Sequence, residues 1–539
     1  MSAQRVLGVG DDATVLPRGA VRWSAEATWA TYNELYGPGG KLESLGGRYS
    51  SDSLGATQLE VLRPLRTSLR ALAQQPTADV SLGPVRTDFS ARIARSAIAM
   101  DLGLASRVML TVRVPYEHTV SEVTLDVNPR SELTNRPNIG VNPARSGVAG
   151  ASDRNRKVVD SLLRVAQEVT TRLDGCAASS SDPVCADQSR ARTLVNDARA
   201  VAAGIATTYG IGADTARGAS FVPFANSTLQ NAINARLTAL NASFKSYIPG
   251  LGVWDTPTPA QLPLSAGQAA AFLSDTLAIA AIDLVERSHL GDIEVGAKLL
   301  LIDTFGSPAR ARTHTTGLGV RLAVGGLARL GTGQRERPDD IFDVGTGDGQ
   351  TDIEGSGVLD LVLGRRFWTS FVGRFGVQMA DEIDVRIPDV PRNPFLPAYR
   401  EQTVSRDLGD YVQLEASPRY VYNDYLSLSA NWSYRRKGED KFTGTFTAED
   451  LAGQSVSLDA GTLGVGTKQT EQRVGAGASF STLRAYDRGR ARLPLEVQVL
   501  HWQTMSGSGY IPKQFSTQVQ FRYYTRLFGA PLRPRPARR

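Results

Sequence analysis

The sequence predicts an all-β transmembrane barrel of about twelve antiparallel strands, with a large, mostly α-helical extracellular insertion. Three observations predict it. Short segments alternate apolar and polar residues, which on a strand gives one apolar and one charged face. Tight polar turns such as Gly364-Arg365-Arg366 and Asn423-Asp424 join neighbouring segments at one end, whereas long loops join them at the other. Between Asp153 and Ser288 the hydrophobic period changes from two to that of a helix.

The alternation is clearest from Gly349 to Tyr434. There Phe367, Thr369, Phe371, Gly373, Phe375, Val377 and Met379 share one parity, against Trp368, Ser370, Val372, Arg374, Gly376 and Gln378. Val412, Leu414, Ala416, Pro418 and Tyr420 then oppose Tyr411, Gln413, Glu415, Ser417 and Arg419. Leu426, Leu428, Ala430, Trp432 and Tyr434 oppose Ser427, Ser429, Asn431, Ser433 and Arg435. A bacterial outer-membrane barrel has such strands, apolar outward and polar inward, with short periplasmic turns and long outer loops.

From the start of the chain, residues 1–18 read as the remnant of a signal-cleavage region, because Met1-Ser2-Ala3-Gln4 has the small residues of such a site. Residues 19–121 hold strands one to three. The first is Val21 to Tyr32; a Gly/Ser-rich connection follows, with a helical pattern from Gln58 to Ala73 (Leu59, Leu62, Leu65, Leu69, Leu72). Phe89 to Leu104 and Arg107 to Tyr116 make the next two strands around the turn Ala105-Ser106. Residues 122–289 form the insertion, helical in four pieces: Asp153–Leu173, Ala186–Tyr209, Ser227–Ser246 and Ser265–Arg287. Cys176 and Cys185 bracket the turn between the first two pieces, and two Cys in an oxidising compartment most simply form a disulfide. Strands four to twelve occupy residues 290–528, and the Pro/Arg-rich residues 529–539 read as a disordered tail. An even strand number puts both termini on the periplasmic, short-turn side and the insertion outside.

A soluble β-sandwich with a helical domain is the competing architecture. It would need its apolar faces to meet and its aromatics to cluster centrally. Instead Trp23, Trp29, Trp368, Trp432, Tyr420, Tyr422, Tyr425, Tyr434, Tyr523 and Phe528 fall toward segment ends, as in the aromatic girdles of membrane interfaces. The net charge of +6 over 539 residues is too mild and too evenly spread for nucleic-acid binding. The most apolar long stretch, Gly267 to Val285, is broken by Ser274, Asp275, Thr276 and Asp283, which is poor for a helical span of about 20 residues.

Little supports catalysis or a cofactor. His118, His289, His314 and His501 show no metal-ligand spacing, and neither a nucleophile elbow nor a phosphate-binding loop is present. His501 beside Ser506 and Ser508 is the one group resembling a hydrolase pair. No enzyme is expected. The acidic loop from Asp339 through Asp343 and Asp348 to Asp352 offers oxygen ligands for Ca²⁺, although Gly with Asp is also ordinary turn composition. The inward parity carries charges of both signs: Arg22, Glu26, Asp292, Glu294, Lys298, Arg321, Glu354, Asp360, Arg374, Glu415, Arg419, Arg435, Arg473, Glu496 and Arg522. In a narrow barrel they must pair across the lumen or face water, either stiffening the wall or lining a polar channel.

Two stretches resemble a known family. Leu102-Gly103-Leu104-Ala105-Ser106-Arg107-Val108-Met109-Leu110, continuing to Val114-Pro115-Tyr116, is similar to the strand-turn-strand of outer-membrane proteins of phenol meta-pathway degradation. Gly291-Asp292-Ile293-Glu294-Val295-Gly296-Ala297-Lys298 resembles their following strand. These are broad relatives of the long-chain fatty-acid and aromatic-hydrocarbon outer-membrane transporters. The resemblance implies passive passage of small hydrophobic compounds by a side or luminal exit, aided by an extracellular apolar binding site. Those transporters carry Asn-Pro-Ala in an N-terminal plug, whereas here Asn142-Pro143-Ala144 follows the third strand.

The expected function is therefore passive transport of small hydrophobic or aromatic solutes across the bacterial outer membrane. Phe221, Phe224 and Phe272 of the insertion are candidates for gathering ligand, or else core residues of a helical cap. The alternative is a surface structural or adhesion protein with the barrel as anchor and the insertion as binding module. Expected partners are outer-membrane lipid and lipopolysaccharide, the solute, and the barrel-assembly machinery during biogenesis.

Overall fold

The computed structural model describes residues 11–130, 136–177, 181–211, 219–248, 251, 254–304, 318–364, 366–487 and 489–528. Residues 1–10 of the 1–18 segment read above as a signal remnant, and the tail 529–539, lie outside the described residues, as does His314, whereas residues 11–18 of that segment are part of the barrel's interior. Twelve strands form the barrel: β1 (Ala20–Tyr32), β2 (Val85–Ala105), β3 (Val108–Val127), β4 (Ile293–Asp303), β5 (Leu318–Leu330) and β6 (Asp352–Leu363), then β7 (Phe367–Gln378), β8 (Tyr411–Val421), β9 (Leu426–Lys437), β10 (Gln469–Ser481), β11 (Leu495–Ser508) and β12 (Phe515–Arg526). Each pairs antiparallel with its neighbours in sequence, and β12 returns to β1 with Ala20 opposite Arg526 and Thr31 opposite Phe515. These twelve strands close on themselves, as a strand structure in lipid requires.

The parity of the side chains is that of a protein turned inside out. Outward Ile98, Trp29 and Phe375 are 67%, 52% and 52% exposed, whereas inward Glu354, Asp360 and Glu415 are 2–3% exposed. Exposing so continuous an apolar surface to water would be far outside the patch sizes of soluble monomers. The outer face is a lipid-facing belt. Aromatic pairs mark its two borders. Phe367 packs on Tyr420 (5.0 Å) and Tyr425 stacks on Phe480 (5.8 Å) near the short turns, whereas Trp432 stacks on Tyr434 (6.5 Å) toward the long loops. Among the described residues no helix is long and apolar enough to cross a membrane.

Strands β2 and β3 extend past the Phe89–Leu104 and Arg107–Tyr116 segments read from the sequence, by residues 85–88 and 117–127, and their polarity inverts above the belt. Asp88, Arg92, Glu122 and Asp126 point outward there, while Phe89, Ile93, Val123 and Leu125 point inward. The inward residues meet the cap, whose core is continuous with this wall and includes Tyr49, Leu69, Leu162, Val169, Ile205, Phe244, Phe342 and Phe395. Among the described residues five long helices build that cap: α1 (Arg63–Ala73), α2 (Ala151–Asp174), α3 (Gln188–Tyr209), α4 (Thr228–Tyr247) and α5 (Ala266–Leu277). Each of the last three starts at a side-chain cap, Asp187, Ser227 or Ser265, and Gln268 completes a capping box with Ser265. Cys176 and Cys185 are disulfide-bonded across the α2–α3 hairpin.

The fourth helical stretch ends earlier than the sequence pattern suggests. Ala278 adopts the left-handed conformation (φ 51°) and stops α5, while Arg386 hydrogen-bonds the Leu277 and Ala278 carbonyls at 2.9 and 2.6 Å. Val285–Leu290 is instead a strand paired with Tyr116–Ser121 of β3. It leads into β4 through Gly291-Asp292, a bulge that turns both residues inward and leaves Asp292 buried.

Residues 11–19 enter the lumen from the short-turn end. Ala13, Val15 and Leu16 pack on inward Met109, Ala323, Val358 and Val372, a small apolar core inside the barrel. The segment passes so close to β2 that a side chain at Gly103 would lie 2.1 Å from the Pro17 carbonyl oxygen, and Gly19 N–H donates to the Gly103 carbonyl at 2.7 Å. No Asn-Pro-Ala serves this role. Asn142 is buried in the cap, where its amide donates to the Ala219 carbonyl at 2.7 Å.

Candidate functional site: the barrel lumen

Every second residue of a barrel strand points inward, so the strands deliver their charges to one enclosed space. Arg374 on β7 is the hub. Its guanidinium donates to Glu354 on β6 (2.9 Å), Glu415 on β8 (3.1 Å) and Asp11 of the N-terminal segment (3.4 Å). Arg329 on β5 bonds Asp352 at 2.8 Å and lies 3.9 Å from Glu354, which also accepts the Tyr411 hydroxyl at 2.6 Å. Arg113 on β3 sits between Glu26 (3.7 Å) and Glu294 (3.9 Å), and Arg22 bonds Asp101 at 2.7 Å. Burying a lone charge costs several kcal/mol, so shared partners are what allow so many ions in so small a volume.

The other inward residues singled out in the sequence take local partners. Arg321, fully buried, bonds Asp303 at 3.3 Å, and Asp360 accepts from Ser370 (2.7 Å) and from the Ala13 N–H (3.1 Å). Arg419 lies over the Trp368 ring (4.6 Å) and Arg435 over the Tyr411 ring (4.4 Å). Arg473 donates to Ser516 at 3.1 Å beside Trp502, and Glu496 pairs with Arg522 at 3.8 Å. Arg95, Asp101, Arg113, Glu117 and Arg329 share the inward parity and were not singled out, although the same alternation along β2, β3 and β5 carries them.

The candidate calcium ligands do not converge. Asp339 bonds Arg386 (2.6 Å), Asp343 pairs with Arg287, Asp348 accepts from the Gln350 N–H (3.0 Å), and Asp352 belongs to Arg329. Among the described residues no three acidic, His or Cys side chains are grouped to hold a metal ion. Asp292, in the bulge above β4, accepts from the Gly333 N–H at 2.9 Å; burial, reinforced by the nearby Asp348, pushes its carboxyl up to about 7. His501 points outward and contacts Thr517 at 3.0 Å, away from the lumen. Phe221 and Phe272 pack edge-on at 5.1 Å in the cap, with Phe224 half-buried beside them.

A cavity of about 170 Å³ lies between the N-terminal segment and the inner faces of β12 and β1 to β7. Asp11, Asp12 and Thr14 form one side of it. The rest is wall, with Met109, Gly296, Gly325 and Leu327 giving a small apolar floor, and Lys298 and Arg374 beside it.

No protein-family model and no curated protein matches the chain. Among solved structures it is similar to the COG4313 outer membrane channel from Pseudomonas putida F1 (9% identity, 96% of this chain and 100% of that one, TM-score 0.41). It is also similar to the P. putida toluene transporter TodX (8% identity, 96% and 92% of the two chains, TM-score 0.24). The translocator domain of the autotransporter NalP from Neisseria meningitidis matches at 6% identity, over 94% and 87% of the two chains, with a TM-score of 0.27. At these identities and scores, none adds to what the barrel geometry itself establishes.

Proposed function

We propose that the chain lies in the bacterial outer membrane with both termini in the periplasm and allows passive passage of small hydrophobic or aromatic compounds. The carrying observation is the way the lumen is filled. Among the described residues its obstruction toward the short turns is one segment, residues 11–19, seated beside a cavity, whereas the wall arginines beside it have carboxylate partners on the wall and Lys298 is held by the segment. Withdrawal of that segment would open a path without unpairing the strands. In this reading Phe224, half-buried in the cap, gathers ligand, and Phe221 and Phe272 hold it in place.

Uptake of a labelled monocyclic aromatic hydrocarbon by cells with an intact lipopolysaccharide leaflet tests the proposal. Expression of the chain is expected to raise initial uptake several-fold. Equal uptake with and without it would overturn transport, and surface attachment gained without uptake would favour the anchor-and-adhesion alternative.

A further inference from the structure

The cavity beside the N-terminal segment has the composition of a binding site that the segment itself fills. Its lining carries five cations, Arg22, Arg113, Lys298, Arg374 and Arg522, and three wall carboxylates, Asp101, Glu294 and Glu354, while Glu26, Glu415 and Glu496 just outside the lining pair with Arg113, Arg374 and Arg522. The two remaining carboxylates of the lining, Asp11 and Asp12, come from the segment.

The positions matter more than the count. Arg22, Arg113, Arg374 and Arg522 each have a carboxylate on the wall. The Lys298 ammonium is bonded to the Asp11 carboxylate and, at 2.9 Å, to the Asp12 carbonyl, both of the segment. Asp11 also reaches Arg374 at 3.4 Å through its second oxygen. A carboxylate held by an ammonium on one oxygen and a guanidinium on the other is the geometry by which proteins bind a carboxylate ligand. Beside it, Gly296 and Gly325 leave the floor bare next to Met109 and Leu327. A Cβ at Gly296 would lie 3.0 Å from both the Leu327 side chain and the Gly326 carbonyl oxygen, so a side chain there would have to displace its neighbours.

We infer that the Lys298–Arg374 pair is a binding site for a small aromatic carboxylate, and that Asp11 occupies it as an internal stand-in. The carboxylate of the ligand takes the place of Asp11, and its ring lies over the glycine floor. The cavity volume takes one ring and its carboxylate, not a long acyl chain. The inference rests on the transport reading for its physiological sense and sharpens the solute class from aromatic compounds to aromatic acids. Because the stand-in competes, the ligand's apparent affinity is reduced by the fraction of chains whose segment is seated.

Calorimetric titration of the full chain in detergent with benzoate, and with benzyl alcohol as the uncharged control, tests it. Asp11→Ala is expected to bind benzoate at least tenfold more tightly than the unaltered chain. The double variant Asp11→Ala/Lys298→Gln is expected to lose about tenfold or more of that gain, the usual cost of a charge-assisted hydrogen bond. Benzyl alcohol should bind all three alike. The heat-shifted gel mobility of a folded barrel confirms that each variant is assembled. Equal benzoate affinity for the unaltered chain and Asp11→Ala, or a gain that Lys298→Gln leaves intact, overturns the site. Benzoate binding that follows the expected order without any solute uptake in cells would leave the site standing and overturn transport instead.

Discussion

Replacing Arg374 by alanine is expected to cost the barrel about 3–5 kcal/mol, the range for removing one partner from a buried ion cluster. Two side chains explain the size. Glu415, with its side chain 1% exposed, would keep only the Gln413 amide at 2.7 Å, and Glu354 would retain Tyr411 and the more distant Arg329. The cost lies in the carboxylates left behind. The triple variant Arg374→Leu, Glu354→Gln, Glu415→Gln should therefore recover most of the loss. Lysine at 374 should not, because one ammonium cannot serve carboxylates on both neighbouring strands as a planar guanidinium does. Denaturant titration of the barrel in lipid vesicles measures all three. A loss under about 1 kcal/mol for Arg374→Ala would mean that water, not the arginine, solvates these acids.

Phe371→Arg is expected to be the most costly single change on the outer wall. Phe371 sits near the middle of β7, opposite Leu359 and Ala416, and points away from the lumen. An arginine at the bilayer midplane of such a barrel costs about 2–4 kcal/mol. Ser370→Arg, one residue away, faces Asp360 in the lumen and should cost less than half as much. The contrast between adjacent residues is the informative quantity, since both changes alter the same strand and the same hydrogen-bond ladder. Equal costs for the two would argue against lipid on one face and charge on the other.

The parity of Phe367–Gln378 was legible because a strand within the belt meets one solvent on each face, and alternation follows directly. Where the solvents change, the pattern loses its meaning. Above the belt, water lies outside and the cap core inside, so Asp88 and Glu122 face outward while Phe89 and Val123 face inward, and residues 85–88 of β2 and 117–127 of β3 lie outside the strands the alternation marks. Val285–Leu290 was absorbed into a helical pattern for a related reason. It is short, and only its pairing with β3 makes it a strand. The inward charges followed from alternation alone, yet their hub at Arg374 did not, because three of its partners lie on different elements. Least legible was the N-terminal segment: Asp11 to Leu16 shows no periodicity, and its place in the lumen is set by contacts with Lys298, Arg374 and Asp360 far along the chain.

Spin labels placed one at a time along Phe367–Gln378, with the chain in lipid vesicles, test most directly whether lipid is the outer solvent. Collision with oxygen, which concentrates in the bilayer, should be high at 367, 369, 371, 373, 375 and 377 and low at the positions between. Collision with a water-soluble nickel complex should be low at all of those odd-numbered positions. Uniform access along the strand, or nickel access at the odd-numbered positions, would contradict a membrane-spanning barrel.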